Sequence, residues 1–139
     1  MKIKELNVDS LFQAYPVIKQ LRPHLGLDEF VKMATTMMQD GYRAICVYDG
    51  DEIVAYAGFA ELLNLYDGRH IYVYDLIVCE NHRSRGYGKM LMSFIEDIAK
   101  TKGVNRVTLI SGVQRKDAHR FYEDKNGYVK TSYSYKKEV

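Results

Sequence analysis

Arg83-Ser84-Arg85-Gly86-Tyr87-Gly88-Lys89 stands between an apolar run and an amphipathic segment. Ahead of it, Ile71-Tyr72-Val73-Tyr74-Asp75-Leu76-Ile77-Val78 is rich in β-branched and aromatic residues, the composition of a buried strand. Behind it, Tyr87, Leu91, Phe94, Ile95 and Ile98 recur at helical spacing, and Gly103 supplies a stop. A basic, glycine-containing turn therefore joins a strand to the N-terminus of a helix. Such an end offers unpaired N–H groups and a partial positive charge of about half a unit. Glycines let a bulky anion approach the backbone closely. The segment has the makings of a phosphate site.

Two common phosphate motifs do not fit. A P-loop needs Gly at the position of Arg83 and Ser or Thr at that of Met90. A dinucleotide fingerprint needs Gly where Leu91 stands. What is left is R-x-x-G-x-G, and this resembles the acetyl-CoA-binding motif of the GCN5-related N-acetyltransferases, the GNAT superfamily. A second segment points the same way. Asp117-Ala118-His119-Arg120-Phe121-Tyr122-Glu123-Asp124-Lys125-Asn126-Gly127-Tyr128 resembles that family's later motif A-x-x-F-Y-E-x-x-G-[FY], with one extra residue before Gly127. Two patterns in the right order are far more specific than either alone.

The rest of the chain agrees with one domain over residues 1–139, long enough for a real core. With 20 basic and 18 acidic residues the net charge is only +2, too balanced to make nucleic acid the main partner. No apolar run approaches the ~20 residues that span a membrane. The charged start, Met1-Lys2-Ile3-Lys4-Glu5, is unlike a signal peptide. Cys46 and Cys79 lie in apolar runs without metal spacing and read as reduced, buried thiols of a cytoplasmic protein. The four histidines form no ligand cluster, so no metal is expected.

The pattern predicts strands over 2–6, 42–48, 53–60, 70–79, 104–111 and 128–137. It predicts helices from Asp9 and Ser10 to about residue 22, bent near Pro16, from Asp28 to Gly41, and over 87–102 and 115–125. Asp49-Gly50-Asp51 is a hairpin signal. Phe30, Met33, Ala34, Met37 and Met38 make one apolar helix face. The order is β-α-α-β-β-β-α-β-α-β, an α/β fold with a mixed sheet. It is also the order of the GNAT-type acyl-CoA N-acyltransferase fold that the chain resembles.

The resemblance implies an enzyme moving the acetyl group of acetyl-CoA, as cosubstrate, directly to a primary amine of a small metabolite. On this reading Arg83, Arg85, Gly86, Tyr87, Gly88 and Lys89 take the cofactor phosphates, largely through backbone N–H groups. Ile77 and Val78 pair through their backbone with the pantetheine arm, and one such N–H polarises the thioester carbonyl. Tyr122 matches the family's proton donor to the leaving thiolate. An aromatic packing residue is its plainer reading, since the chain has 12 tyrosines. Asp75, a lone carboxylate in an apolar strand, is a candidate base or amine anchor, against a structural ion pair. Glu61 is a weaker second candidate. Arg115 stands where the family often has Asn, which sets that contact apart; with Lys116 it would suit an anionic group. Segment 22–42, with Arg22, His24, Asp28, Glu29 and Tyr42, is the expected acceptor wall. A protein N-terminus or lysine as acceptor, and a non-catalytic acyl-CoA sensor, are the alternatives. Oligomeric state is left open, a homodimer included.

Overall fold

A computed structural model describes residues 2–139. It falls into two compact units, residues 2–108 and 109–139. In the first, β1 (Lys2–Leu6), β2 (Arg43–Asp49), β3 (Glu52–Asn64) and β4 (Gly68–Val78) form successive antiparallel pairs. β5 (Val107–Leu109) lies next to β4, so the five strands follow chain order across a mixed sheet. The hairpin forms where Asp49-Gly50-Asp51 signals it, with Gly50 at φ 63°. β3 runs four residues beyond expectation, because Glu61–Asn64 continue the ladder against Gly68–Ile71.

Helices α1 (Tyr15–Leu21) and α2 (Leu27–Gln39) cover one face of the sheet. A 3₁₀ turn, Leu11–Ala14, leads into α1, which restarts with Pro16 in its first turn where a missing N–H costs nothing. Ser10 holds the cap position of that turn, but neither its side chain nor that of Asp9 caps the helix. The Asn7 side chain accepts from both their N–H groups instead. α2 starts two residues earlier than expected, capped not by Asp28 but by Gly26: Glu29 accepts from the Gly26 N–H at 3.3 Å, and Asp28 sits inside the first turn. Phe30 and Ala34 are the buried core of its apolar face, with Met37 and Met38 packed at the margin. Met33, expected on that face, is 52% exposed.

In β2, Ala44 and Cys46 join the core under α1 and α2. The two-residue alternation turns Ile45 and Val47 to the other face, where they are equally buried. α3 (Tyr87–Thr101) packs on β2, β3 and β4. It buries Tyr87, Leu91, Met92, Ile95 and Ala99 and leaves Phe94 at the rim. Each large apolar side chain buried this way contributes about 1.5–3 kcal/mol. No described helix is long and apolar enough to cross a membrane.

The second unit holds α4 (Lys116–Arg120), which continues into a π-helical turn, Phe121–Lys125. The strand expected over 128–137 is absent. These residues are exposed apart from half-buried Tyr128 and pair with no strand. Tyr-, Val- and Thr-rich composition supplies β propensity, but a strand exists only with a ladder partner. β5 is likewise shorter than the 104–111 expected.

Candidate functional site

The chain leaves β4 at Cys79 and passes through a 3₁₀ turn, Glu80–His82, closed by His82 N–H donating to Cys79 O at 2.8 Å. Two left-handed residues then reverse it into α3: Ser84 at φ 65° and Gly86 at φ 85°. Gly86 is the cap residue, and its carbonyl accepts the first helical bond from Met90 N–H at 3.0 Å. The N–H groups of Tyr87, Gly88 and Lys89 therefore have no acceptor within the helix, and no side chain caps them. A Cβ on Gly86 would meet nothing within 4 Å, so the space before this terminus is open. Arg83, Arg85 and Lys89 are exposed around it, while Tyr87 and Gly88 are buried and offer only backbone. An anion such as a pyrophosphate fits this cradle.

The strand feeding the turn has a free edge. Ile71 N–H donates to Arg106 O at 3.0 Å on the β5 side. β5 is three residues long, so it cannot reach Ile77 or Val78, six and seven residues further on. Cys79 N–H donates to Val54 O at 2.7 Å, making Cys79 and Val54 a hydrogen-bonded pair. Alternation then turns the Ile77 groups toward β3 and points those of Leu76 and Val78 outward. Of the two residues expected here, Val78 carries the outward amide; Ile77 serves the sheet and core, and Leu76 takes its place. Arg83 Nε reaches back to Val78 O at 3.4 Å.

One turn of sheet upstream lies a polar network that sequence reasoning only half anticipated. Gly58 pairs with Asp75 and Phe59 with Val73, so Tyr74 is an extra residue and β4 bulges there. Arg22, just after α1, donates to Asp75 Oδ1 through Nε at 3.2 Å and Nη2 at 3.0 Å. The same Nη2 donates to the Tyr74 carbonyl at 3.1 Å. Tyr42 donates to Asp75 Oδ2 at 2.7 Å, and its hydroxyl lies 2.8 Å from that of Tyr56. Burial pushes the Tyr42 phenol well above its ordinary value, and the neighbouring Tyr56 and Asp75 push it the same way. Burial raises Tyr56 too. Gly58 admits the Tyr42 ring: a Cβ there would lie 2.7 Å from its Cε1 and closer still to its hydroxyl. Two signals could have revealed this network. Glycine inside a strand marks a close approach, and a carboxylate in an apolar strand demands a cation.

The other predicted acceptor residues are scattered. His24 is exposed on the α1–α2 connection, which Tyr15 ties down by donating to Leu25 O at 2.9 Å. Glu61 pairs with Ile71, six residues along β4 from Ile77, or about 20 Å at strand rise. There it ion-pairs with Arg69 at 3.0 Å and Lys102 at 3.4 Å, and the Arg69 hydrogen bond lowers its pKa. The structure thus places Glu61 away from Val78. Cys46 is buried, and burial lifts its thiol to about 11; Cys79, expected buried, is only half so.

In the second unit, Arg115 precedes α4, and its carbonyl accepts from His119 N–H at 3.1 Å. His119 Nε2 lies 2.8 Å from Gly112 O, so this histidine has a local structural partner. The residue that lengthens the motif before Gly127 is taken up by the π-helical turn, the usual way a helix absorbs one insertion. Tyr122 lies in that turn, 8% exposed, edge-on to Phe121 and Tyr128. Its carbonyl accepts from Tyr128 N–H at 2.9 Å. Burial raises its phenol above the usual tyrosine value, with the Arg115 charge opposing. It stays protonated at neutral pH, as a proton donor must.

Comparison with known proteins bears directly on this arrangement. An uncharacterized N-acetyltransferase of Bacillus subtilis (strain 168), YhdJ, is 35% identical over 128 residues, covering 91% of this chain and 90% of that protein. Among solved structures, the aminoglycoside N-acetyltransferase AAC(6′)-Iy in complex with CoA superposes with a TM-score of 0.85 at 15% identity, over 99% of this chain and 95% of that one. The ribosomal-protein-alanine N-acetyltransferase of Brucella melitensis biovar Abortus 2308 gives a TM-score of 0.83 at 18% identity over 100% of both chains. The profile of the acetyltransferase (GNAT) family matches residues 6–128. The cradle at α3, the free edge of β4 and these likenesses agree: the chain belongs to the GNAT acetyltransferase family.

Proposed function

We propose that this acetyltransferase moves the acetyl group of acetyl-CoA directly to a primary amine on a small molecule. The observation that carries the reading is the continuity of unengaged backbone amides. Those of Tyr87, Gly88 and Lys89 suit the pyrophosphate, and those of Leu76 and Val78 suit the pantetheine arm and thioester. Bound acetyl-CoA would supply the activated acyl group. The Val78 N–H donates to the thioester carbonyl oxygen as negative charge grows on it during attack by the amine nitrogen. The carbon–sulfur bond breaks, Tyr122 gives its phenolic proton to the leaving sulfur, and the amine nitrogen loses one to solvent water, from which the phenolate is reprotonated. Asp75 has its oxygens engaged by Arg22 and Tyr42. We therefore assign it to holding the acceptor wall rather than to receiving the amine proton.

Gly86→Val tests the donor site. The added side chain occupies the open space before α3, and the left-handed backbone costs about 1–2 kcal/mol. Calorimetry should show acetyl-CoA affinity falling at least about tenfold in a protein that still melts cooperatively. Unchanged affinity in the folded variant overturns the assignment. An amine panel, with released CoA detected as thiol, tests the acceptor. Acetylation of peptides alone would make the substrate a protein, and binding without turnover would make the chain a sensor.

A further inference from the structure

Arg22 directs its guanidinium at the bulge in β4. Nε and Nη2 donate to Asp75 Oδ1 at 3.2 and 3.0 Å, and the second Nη2 hydrogen goes to the Tyr74 carbonyl at 3.1 Å. Within β4, Tyr74 is the one residue with no partner in the register, as a bulged residue is. The fork therefore ties the unpaired residue to its successor. Its base is firm, because Arg22 N–H donates to Ile18 O at 2.8 Å at the end of α1. Asp75 is held from its other oxygen by the Tyr42 hydroxyl at 2.7 Å.

The bulge decides which amides leave the sheet. Upstream of it, Ile71 N–H points away from β3, to Arg106 O. Unbroken alternation from Ile71 would turn Ile77 outward and leave Leu76 and Val78 facing β3. Downstream the pattern is reversed, because Cys79 N–H donates to Val54 O on β3. The single extra residue, Tyr74, makes the difference. Moving or flattening the bulge would invert the assignment of every amide beyond it.

We propose that Arg22 is a positioning residue of the donor site: it pins the bulge and so keeps the Leu76 and Val78 amides turned outward for the pantetheine arm. The proposal rests on the donor reading above. Arg22 acts through the backbone of β4, not by contact with the cosubstrate. A lone ammonium could neutralise Asp75, but a planar fork spans a carboxylate and a neighbouring carbonyl in fixed geometry.

The test needs no turnover. Calorimetry on the full chain compares acetyl-CoA with its nucleotide fragment, adenosine 3′-phosphate 5′-diphosphate capped as the methyl ester. The fragment carries the pyrophosphate for the turn before α3 and lacks the pantetheine arm, so the ratio of the two affinities reports the arm alone. Arg22→Met should shrink that ratio roughly tenfold or more, the scale of two amide hydrogen bonds, and leave the affinity of the fragment within about twofold. That variant strands the Asp75 charge. Combining it with Asp75→Asn removes the stranded charge and should show the same loss. Tyr42→Phe is the control, since it loosens the same network but leaves both Arg22 contacts in place. Its ratio should stay at the wild-type value even as its Tm falls. An unchanged ratio in the folded Arg22 variants, or an equal loss in Tyr42→Phe, overturns the clamp. A double variant that no longer melts cooperatively makes Arg22 a structural residue and overturns it too. If the unmodified protein binds the fragment as tightly as acetyl-CoA, the donor reading falls and the clamp with it, so the two failures are told apart.

Discussion

Gly58→Ala adds a single methyl group in the middle of β3, and the structure says it should cost far more than an ordinary glycine substitution. The new Cβ would overlap the hydroxyl end of the Tyr42 side chain, 2.7 Å from Cε1 and closer still to the hydroxyl oxygen. Neither backbone can yield, because Gly58 is paired on one side with Ala44 and on the other with Asp75. The ring must leave. Its hydroxyl then gives up the 2.7 Å bond to the Asp75 carboxylate and the 2.8 Å contact with Tyr56, both in the interior. A hydrogen bond to a charged group is worth about 1.5–3 kcal/mol, a neutral one about 1, and overpacking adds about 1–3. The expected loss is about 4–6 kcal/mol, a large share of the stability of a domain this size. Urea titration measures it, and thermal melting should show a Tm lower by more than about 10 °C. Repeating the substitution on a Tyr42→Ala background isolates the cause, since no ring remains to be displaced and the added cost should largely vanish. A loss under about 1 kcal/mol, or the same loss in both backgrounds, refutes the reasoning.

Tyr122→Phe should lower kcat roughly ten- to ten-thousand-fold with little change in acetyl-CoA affinity, because the hydroxyl acts only as the thiolate leaves. An unaltered kcat and pH profile would make Tyr122 a packing residue. Asp75→Asn should raise the acceptor KM more than it lowers kcat, since Arg22 and Tyr42 lose their charged partner; a fall confined to kcat, with its basic limb displaced, would return Asp75 to the role of base. Stability should fall as pH rises above about 10, the unfolded tyrosine value. Tyr42 and Tyr56 have raised pKa values when folded, so the unfolded chain sheds their protons first and is favoured. The urea midpoint followed from pH 8 to 11 checks this, and Tyr42→Phe should flatten the fall; a midpoint constant through pH 11 contradicts the network.

The glycine turn into α3 was legible because its signal is local. A strand, two glycines and an amphipathic helix lie next to one another in the chain, so the unpaired amides at Tyr87 to Lys89 follow from helix geometry alone. The Asp49-Gly50-Asp51 hairpin was readable for the same reason. The second motif carried Tyr122, and even its extra residue left a trace, resolved as a π-helical turn. Local pattern misjudged whatever depended on a distant partner. Residues 128–137 have strand composition but no ladder to join, and Met33 shares a helical face with Phe30 yet lies beyond the sheet that buries it.

Sequence by itself determined the layered mixed-sheet class, the order of all but the last element, the family and the glycine turn into α3, because each rests on spacing within one or two neighbouring elements. Tertiary structure alone decided the polar network around Asp75. Arg22 and Asp75 are 53 residues apart and Tyr42 and Asp75 are 33 apart. Only the antiparallel register and the bulge at Tyr74 bring them together. It also chose Val78 over Ile77 as the outward amide, a difference set by which strand hydrogen-bonds to which edge, and it carried Glu61 to the far end of the same hairpin. Side-chain chemistry is written in the residue names, but the partner that engages or frees each group is a property of long-range pairing.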